Sequence, residues 1–267
     1  MRVHSLFRYP VKSCAGLEED ILTLDAIGPV ADRRWMIVRE DGTFLTQRQH
    51  PQMTQLRPEF RGEECWLRIG EESLVLGTPV DGNKRTVRVW RSTLEATDLG
   101  EQAAALCSDF LGEKVRMVWM DDACVRRMNP ERAPQDRRVS FADGYPLLLT
   151  TVDSLAALNA SLETVVSMSR FRPNLVLEGV EAWQEHRWKR IQVGDLEFSL
   201  VKPCTRCTIV TIDQQTGQKN SNQPLRQLTQ DERFERQAVF GENALHSAPG
   251  VLRVGDEVKI LEWKEPG

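Results

Sequence analysis

The chain has 267 residues, 40% of them apolar and 28% charged, with a formal net charge of -4 and a pI of about 5.7. That length suits one large β-rich domain or two smaller ones, and it buries a substantial core without covalent staples. The slightly acidic balance argues against general nucleic-acid binding, and no window approaches the roughly 18 apolar residues of a membrane span.

The N-terminus, residues 1–7, is too short and polar for an export signal, so a cytoplasmic location is the expectation. The six cysteines are scattered except for Cys204 and Cys207. Without an export signal a disulfide framework is not expected, and Cys65 and Cys107 read as small buried apolar residues.

In chain order, the first third reads as strands. Residues 3–9 and 21–24 carry apolar side chains at strand spacing, separated by the Pro- and Gly-punctuated turn 9–16. Residues 35–39 and 43–46 flank Glu40-Asp41-Gly42, a hairpin signal. Residues 65–69, 73–76, 86–90 and 94–97 continue a series of short strands that suggests a barrel or compact sheet. A helix over 100–111 aligns Ala103, Leu106, Cys107, Phe110 and Leu111 on one stripe, with Gly112 as its stop. Residues 114–119 are again strand-like.

From 121 to 136 the pattern breaks. Charges, Pro130 and Pro134 mark a loop or boundary, and Arg126, Arg127, Arg132, Arg137 and Arg138 read as a solvated basic face. Thr151 is positioned to cap a helix over 152–162. Pro173 biases Arg172 toward extended backbone ahead of a strand at 175–178. Gly194-Asp195 joins strands at 189–193 and 196–201, and that hairpin leads to Lys202-Pro203-Cys204-Thr205-Arg206-Cys207. The β-branched run 208–212 after Cys207 reads as a strand. Pro224 opens a short helical stretch to Leu228, and 254–261 reads as a closing strand.

The cysteine pair concentrates the chemistry. A structural zinc site needs further ligands, and His4, His50, His186 and His246 are isolated in sequence. A redox dithiol expects a helix start after the pair, and an iron–sulfur cluster expects four cysteines in recognised spacing. The remaining chemistry is one thiolate on a metal whose other ligands come from an organic cofactor, with Lys202 and Arg206 favouring the anion. Both cysteines as buried residues beside solvated cations is the plainer alternative. Residues 77–84 have the two glycines of a P-loop, but the lysine is one position late and no Ser or Thr follows; G-x-G-x-x-G, H-E-x-x-H and G-x-S-x-G are absent.

Lys202-Pro203-Cys204-Thr205-Arg206-Cys207, Phe171-Arg172-Pro173-Asn174, Tyr9-Pro10-Val11-Lys12-Ser13, Asp32-Arg33-Arg34-Trp35 and Val254-Gly255-Asp256-Glu257-Val258 together resemble the MOSC family, in particular the mitochondrial amidoxime-reducing component and its bacterial counterparts. The resemblance covers nearly the whole chain in order. It implies a mixed, β-rich α+β fold: a MOSC β-barrel with an appended N-terminal β-barrel-like domain and a few short helices. The expected division is 1–120 and 121–267, with residues 1–34 contributing to the site.

The resemblance further implies a molybdenum–molybdopterin cofactor with Cys207 as metal ligand. Lys12, Ser13, Arg33, Arg172, Asn174, Thr205 and Arg206 match cofactor-contacting positions. Gly144 and Tyr145 take the place of a Thr-Ser pair, and Asn243 that of a tyrosine. Four cations drawn from distant parts of the chain would repel one another without an anion between them. The implied enzyme is a molybdenum oxidoreductase that abstracts oxygen from small N-hydroxylated substrates such as amidoximes, hydroxylamines and N-hydroxylated bases, with electrons from a separate reductase or ferredoxin. Asp213 is the candidate proton handler, although it also reads as a turn residue at a strand end. The alternative is a sulfur carrier or cofactor-binding protein that uses Cys207 as a persulfide or storage ligand.

Overall fold

The computed structural model describes residues 1–79, 82–131, 133 and 136–265, so Arg132 and Pro134 of the basic loop, and Val80 and Asp81 of the P-loop-like run, lie outside the described residues. The strands are β1 (Arg2–Arg8), β2 (Leu17–Glu19), β3 (Ile21–Leu24), β4 (Trp35–Arg39), β5 (Arg57–Arg61), β6 (Glu64–Ile69), β7 (Glu72–Val75), β8 (Lys84–Val89) and β9 (Ser92–Asp98). Helix α1 (Glu101–Leu111), β10 (Val115–Trp119), β11 (Leu147–Thr151), α2 (Val152–Asn159), β12 (Leu175–Glu178), β13 (Trp188–Val193) and β14 (Leu196–Thr205) follow. The chain closes with α3 (Leu225–Leu228), β15 (Val239–His246), β16 (Gly250–Arg253) and β17 (Val258–Trp263). Many short strands and few helices make a mixed, β-rich α+β fold.

One sheet has eight strands in the order β17-β13-β14-β15-β11-β12-β1-β2. Only β11 and β12 in it run parallel, joined by the crossover helix α2. The other sheets are β4-β10-β9-β8, β5-β6-β7 and the pair β16-β3. Inward residues of the large sheet, among them Leu6, Leu149, Leu177, Ile191 and Phe198, form one core. A second core lies between α1, β4, β6 and β10, where Cys65 and Cys107 are buried. The α1 stripe is as expected: Ala103, Cys107 and Leu111 are buried, with Leu106 and Phe110 packed against the same cluster. Gly112 takes the left-handed conformation, φ 68°, that ends the helix.

Several expectations are corrected. The run after Cys207 is a 3-10 turn, Thr208–Thr211, not a strand. Burial overrides β propensity there: Val210 enters the cluster of Phe171, Leu228 and Phe240, and the Thr211 hydroxyl donates to the Thr208 carbonyl. Arg172 is left-handed, φ 55°, and not extended, because it ends the 3-10 turn Met168–Phe171. The helix capped by Thr151 stops at Asn159, whose side chain bonds both backbone groups of Val166 and closes the turn. Residues 254–256 form a turn, with Gly255 at φ 91°, and the closing strand starts at Val258. Residues 43 and 44 pair only through isolated bridges. Arg126 is no solvated cation. It is 6% exposed, and its guanidinium donates to the carbonyls of Ser140, Ala142 and Asp143, moulding the loop before β11.

Candidate active site

A cleft of about 140 Å³ lies where the ends of β14 and β15 meet the loops after β1 and before β4. Lys12, Ser13 and Arg33 reach it from the N-terminal loops, and Arg172 and Asn174 from the segment before β12. Thr205, Arg206 and Cys207 follow β14, Asn243 comes from β15, and Gly144 and Tyr145 from the loop moulded by Arg126. Arg48, Thr46 and Asp143 also line it and carry no signal in the sequence.

The backbone that presents these groups is unusual. Ser13, Arg33 and Arg172 have φ of 64°, 50° and 55°, a region that non-glycine residues seldom occupy. Each is held by hydrogen bonds: Arg172 N–H donates to Ser169 O at 3.2 Å, Arg33 N–H donates to Tyr9 O at 2.7 Å, and Arg33 O accepts from Phe141 N–H at 2.9 Å. Ser13 O accepts from the buried Gln47 amide at 2.9 Å, and Gln47 exchanges amide hydrogen bonds with Gln214. The Asn174 side chain is committed on both ends. It donates to Phe7 O and Asp32 Oδ1, each at 3.1 Å, and accepts from Arg33 at 3.0 Å, so it positions Arg33.

The charge balance is strongly positive. Arg33 pairs with buried Asp32, and Lys12 Nζ with Asp143 Oδ1 at 2.7 Å. Arg48, Arg172 and Arg206 have no carboxylate partner among the described residues. Arg172 lies 4.3 Å over the Tyr9 ring, as does Arg33, and donates to Cys14 O at 2.6 Å. Arg206 donates to Phe171 O at 2.6 Å and to Cys204 Sγ at 2.8 Å, while its buried Nε has no partner. Burial pushes the pKa of Arg172 down to about 10, with the Arg33 charge adding to the effect. Burial likewise lowers Lys12, against the opposing pull of Asp143. Crowding around Asp143 opposes its ionisation, but the Lys12 ammonium and the Trp90 indole N–H hold its carboxyl well below the usual carboxylate range. Its side chain is 74% exposed, so the ion pair and not burial sets that shift.

Cys207 is exposed at the mouth, and Arg48 Nη1 donates to its Sγ at 3.8 Å. Cys204 is half-buried and faces Arg206, so the two thiols have different partners. Among the described residues no group of three or more His, Cys, Asp or Glu is placed to hold a metal ion. A metal at Cys207 would therefore draw its other ligands from an organic group, and the cations suit an anionic one.

Asp213 is not brought into the lining of the cleft. Its carboxylate pairs with Arg170 at 3.2 Å and accepts from Gln215 N–H and Thr216 N–H, each at 3.0 Å, in the turn that follows. Burial opposes its ionisation, but those donors and Arg170 keep its pKa below the ordinary value. The carboxylate is thus engaged within the turn 213–216 and with Arg170.

Fold and site together define a β-rich protein with a cleft lined by cations and an exposed thiol, Cys207, at its mouth. Sequence comparison agrees: the family model of the MOSC N-terminal beta barrel domain matches residues 1–114, and that of the MOSC domain matches residues 136–259. The chain belongs to the MOSC family. Mitochondrial amidoxime-reducing component 1 of Homo sapiens is 30% identical over 283 residues, covering 97% of this chain and 82% of its own. Mitochondrial amidoxime reducing component 2 of Bos taurus is 30% identical over 275 residues, covering 96% and 82%. Molybdenum cofactor sulfurase of Bos taurus is 29% identical over 287 residues, covering 97% of this chain and 32% of that protein. No helix among the described residues is long and apolar enough to cross a membrane.

Proposed function

We propose that this chain is a molybdenum-cofactor-dependent oxidoreductase that reduces small N-hydroxylated compounds, amidoximes and hydroxylamines among them. The observation that carries the reading is the set of arginines without carboxylate partners, Arg48, Arg172 and Arg206, gathered around the exposed Cys207 thiol. Arg48 is exposed while Arg172 and Arg206 are half-buried, and cations partly withdrawn from water are costly unless an anion completes them. A molybdopterin phosphate supplies that anion, and the Cys207 sulfur is the protein's ligand to the metal.

In this reading Lys12, Arg33, Arg172 and Arg206 hold the anionic part, with Ser13 and Thr205 beside them. Gly144, Tyr145 and Asn243 form the remaining wall, and Asn174 orients Arg33. The cleft's 140 Å³ falls below the roughly 300–1,000 Å³ usual for organic ligands, so it would enclose only part of such a group. When bound, the metal centre supplies the two-electron chemistry that converts R–NHOH, with two protons, to R–NH2 and water. Arg48 donates to the sulfur and orients it toward the mouth. The electrons come from a separate reductase or ferredoxin, and the protein works in the cytoplasm. Residues 1–120 and 121–267 are its two domains, with 1–34 shared by the site.

The test is elemental analysis of protein from a host that makes the cofactor. About one molybdenum per chain, lost in Cys207→Ala, and dithionite-driven reduction of benzamidoxime are expected. Metal-free protein carrying a labile persulfide on Cys207 overturns the reading in favour of sulfur transfer.

A further inference from the structure

A second cleft, of about 430 Å³, shares Arg172 with the first and lies between β5, β6, the loop before β2 and the turn at Gln214 and Gln215. Its volume is within the usual range for small-ligand sites. Phe7, Leu17 and Pro58 give it apolar walls, and Arg57, Arg68 and Arg172 give it charge. Tyr9 lines it too, and the buried Tyr9 hydroxyl has no hydrogen-bond partner. Gly16 lets the loop lie flush on that ring, since a Cβ there would stand 2.3 Å from it.

The charges in this cleft are unbalanced. Arg57 and Arg68 are directly opposite each other in the antiparallel β5–β6 pair. Side chains so placed start about 5 Å apart, and like charges there repel. Arg57 reaches only neutral oxygens, Gln55 Oε1 at 3.4 Å and Gln215 O at 3.5 Å. Arg68 has no carboxylate partner among the described residues, and the one carboxylate of the lining, Glu59, pairs with Arg61. Two guanidinium forks with a single gap between them match a doubly charged oxyanion better than a monocarboxylate.

We propose that this cleft is a second anion site, and that it receives a phosphate monoester with an apolar organic body. The phosphate bridges Arg57 and Arg68, and the body lies against Phe7 and Leu17. The assignment is independent of the chemistry proposed at Cys207.

Phenyl phosphate is the probe, with inorganic phosphate as comparator, titrated calorimetrically into the full chain at low ionic strength. Phenyl phosphate is expected to bind more tightly than inorganic phosphate, and Arg57→Gln/Arg68→Gln to weaken it at least about tenfold. Arg206→Gln, which alters only the first cleft, is expected to leave that binding in place. Both Arg57 and Arg68 are exposed, so the double variant keeps its core. A measurement on the unaltered chain stands beside it: phenyl phosphate should slow phenylglyoxal modification of Arg57 and Arg68, read by peptide mass spectrometry. Equal modification with and without the probe, or a double variant that titrates like the parent, overturns the site. Equal protection by inorganic phosphate overturns the apolar part of the assignment.

Discussion

At the residue scale, the site is marked by backbone strain as much as by side-chain chemistry. Ser13, Arg33 and Arg172 are all left-handed, at a cost on the order of 1–3 kcal/mol each. Ser13 separates the two effects. Ser13→Gly removes the steric cost and is expected to raise stability by about 1 kcal/mol in denaturant unfolding, while molybdenum retention falls because the hydroxyl is gone. A variant no more stable than the parent would show that the backbone there carries no strain. The motif residues Cys207, Arg206 and Arg172 were legible in the sequence because they stand in distinctive local strings. Arg48 was not, since Thr46-Gln47-Arg48-Gln49 is an ordinary polar run and only the fold brings Arg48 to the thiol. The left-handed Arg172 was misread because the pre-proline bias toward extended backbone lost to the 3-10 turn it terminates.

At the element scale, β15 is the strut of the site. It pairs with both β11 and β14, places Asn243 in the cleft, and carries Phe240 into a stack with Phe171 at 3.9 Å. The Phe171 carbonyl accepts from Arg206, and Val210, three residues past Cys207, belongs to the same cluster. Phe240→Ala is therefore expected to cost about 3–5 kcal/mol in chemical unfolding and to loosen the Cys207 turn, measured as faster alkylation of that thiol. At the far end of β15, buried His246 holds the Asp25 carbonyl at 2.7 Å. Burial lowers its pKa from 6.5. Because the folded value is the lower one, the unfolded chain takes up the proton first. The stabilisation is complete above about pH 6.5 and is lost as pH falls through the folded value. Thermal melts from pH 7 to pH 5 should fall less steeply in His246→Gln than in the parent, and parallel curves would remove His246 from the acid response. Strand and helix positions were largely readable from periodicity, as in α1. The segment after Cys207 was not, because its β-branched residues are used for core packing in a turn.

At the scale of the whole molecule, the first matched segment contributes strands to the main sheet of the second. Strand β1 belongs to the first matched segment, yet it is hydrogen-bonded to β12 in the eight-stranded sheet. Val3 and Leu6 are 1% and 0% exposed in the same core as Leu175 and Leu177. The cleft is divided likewise, with Lys12, Arg33 and Arg48 from one segment and Arg172, Arg206 and Cys207 from the other. Sequence order hides this, because closure of a sheet by a strand more than a hundred residues away leaves no local pattern. A fragment of residues 121–267 therefore loses two strands, β1 and β2, from one side of its main sheet, part of its core and half of its cationic cleft. Produced alone, it is expected to unfold without a cooperative transition and to retain no molybdenum. Produced together with residues 1–120, it should recover both, because the contacts between the pieces are those of a continuous hydrophobic core. A cooperative melt and stoichiometric molybdenum in the lone fragment would place the whole site in the second segment and make the N-terminal strands dispensable.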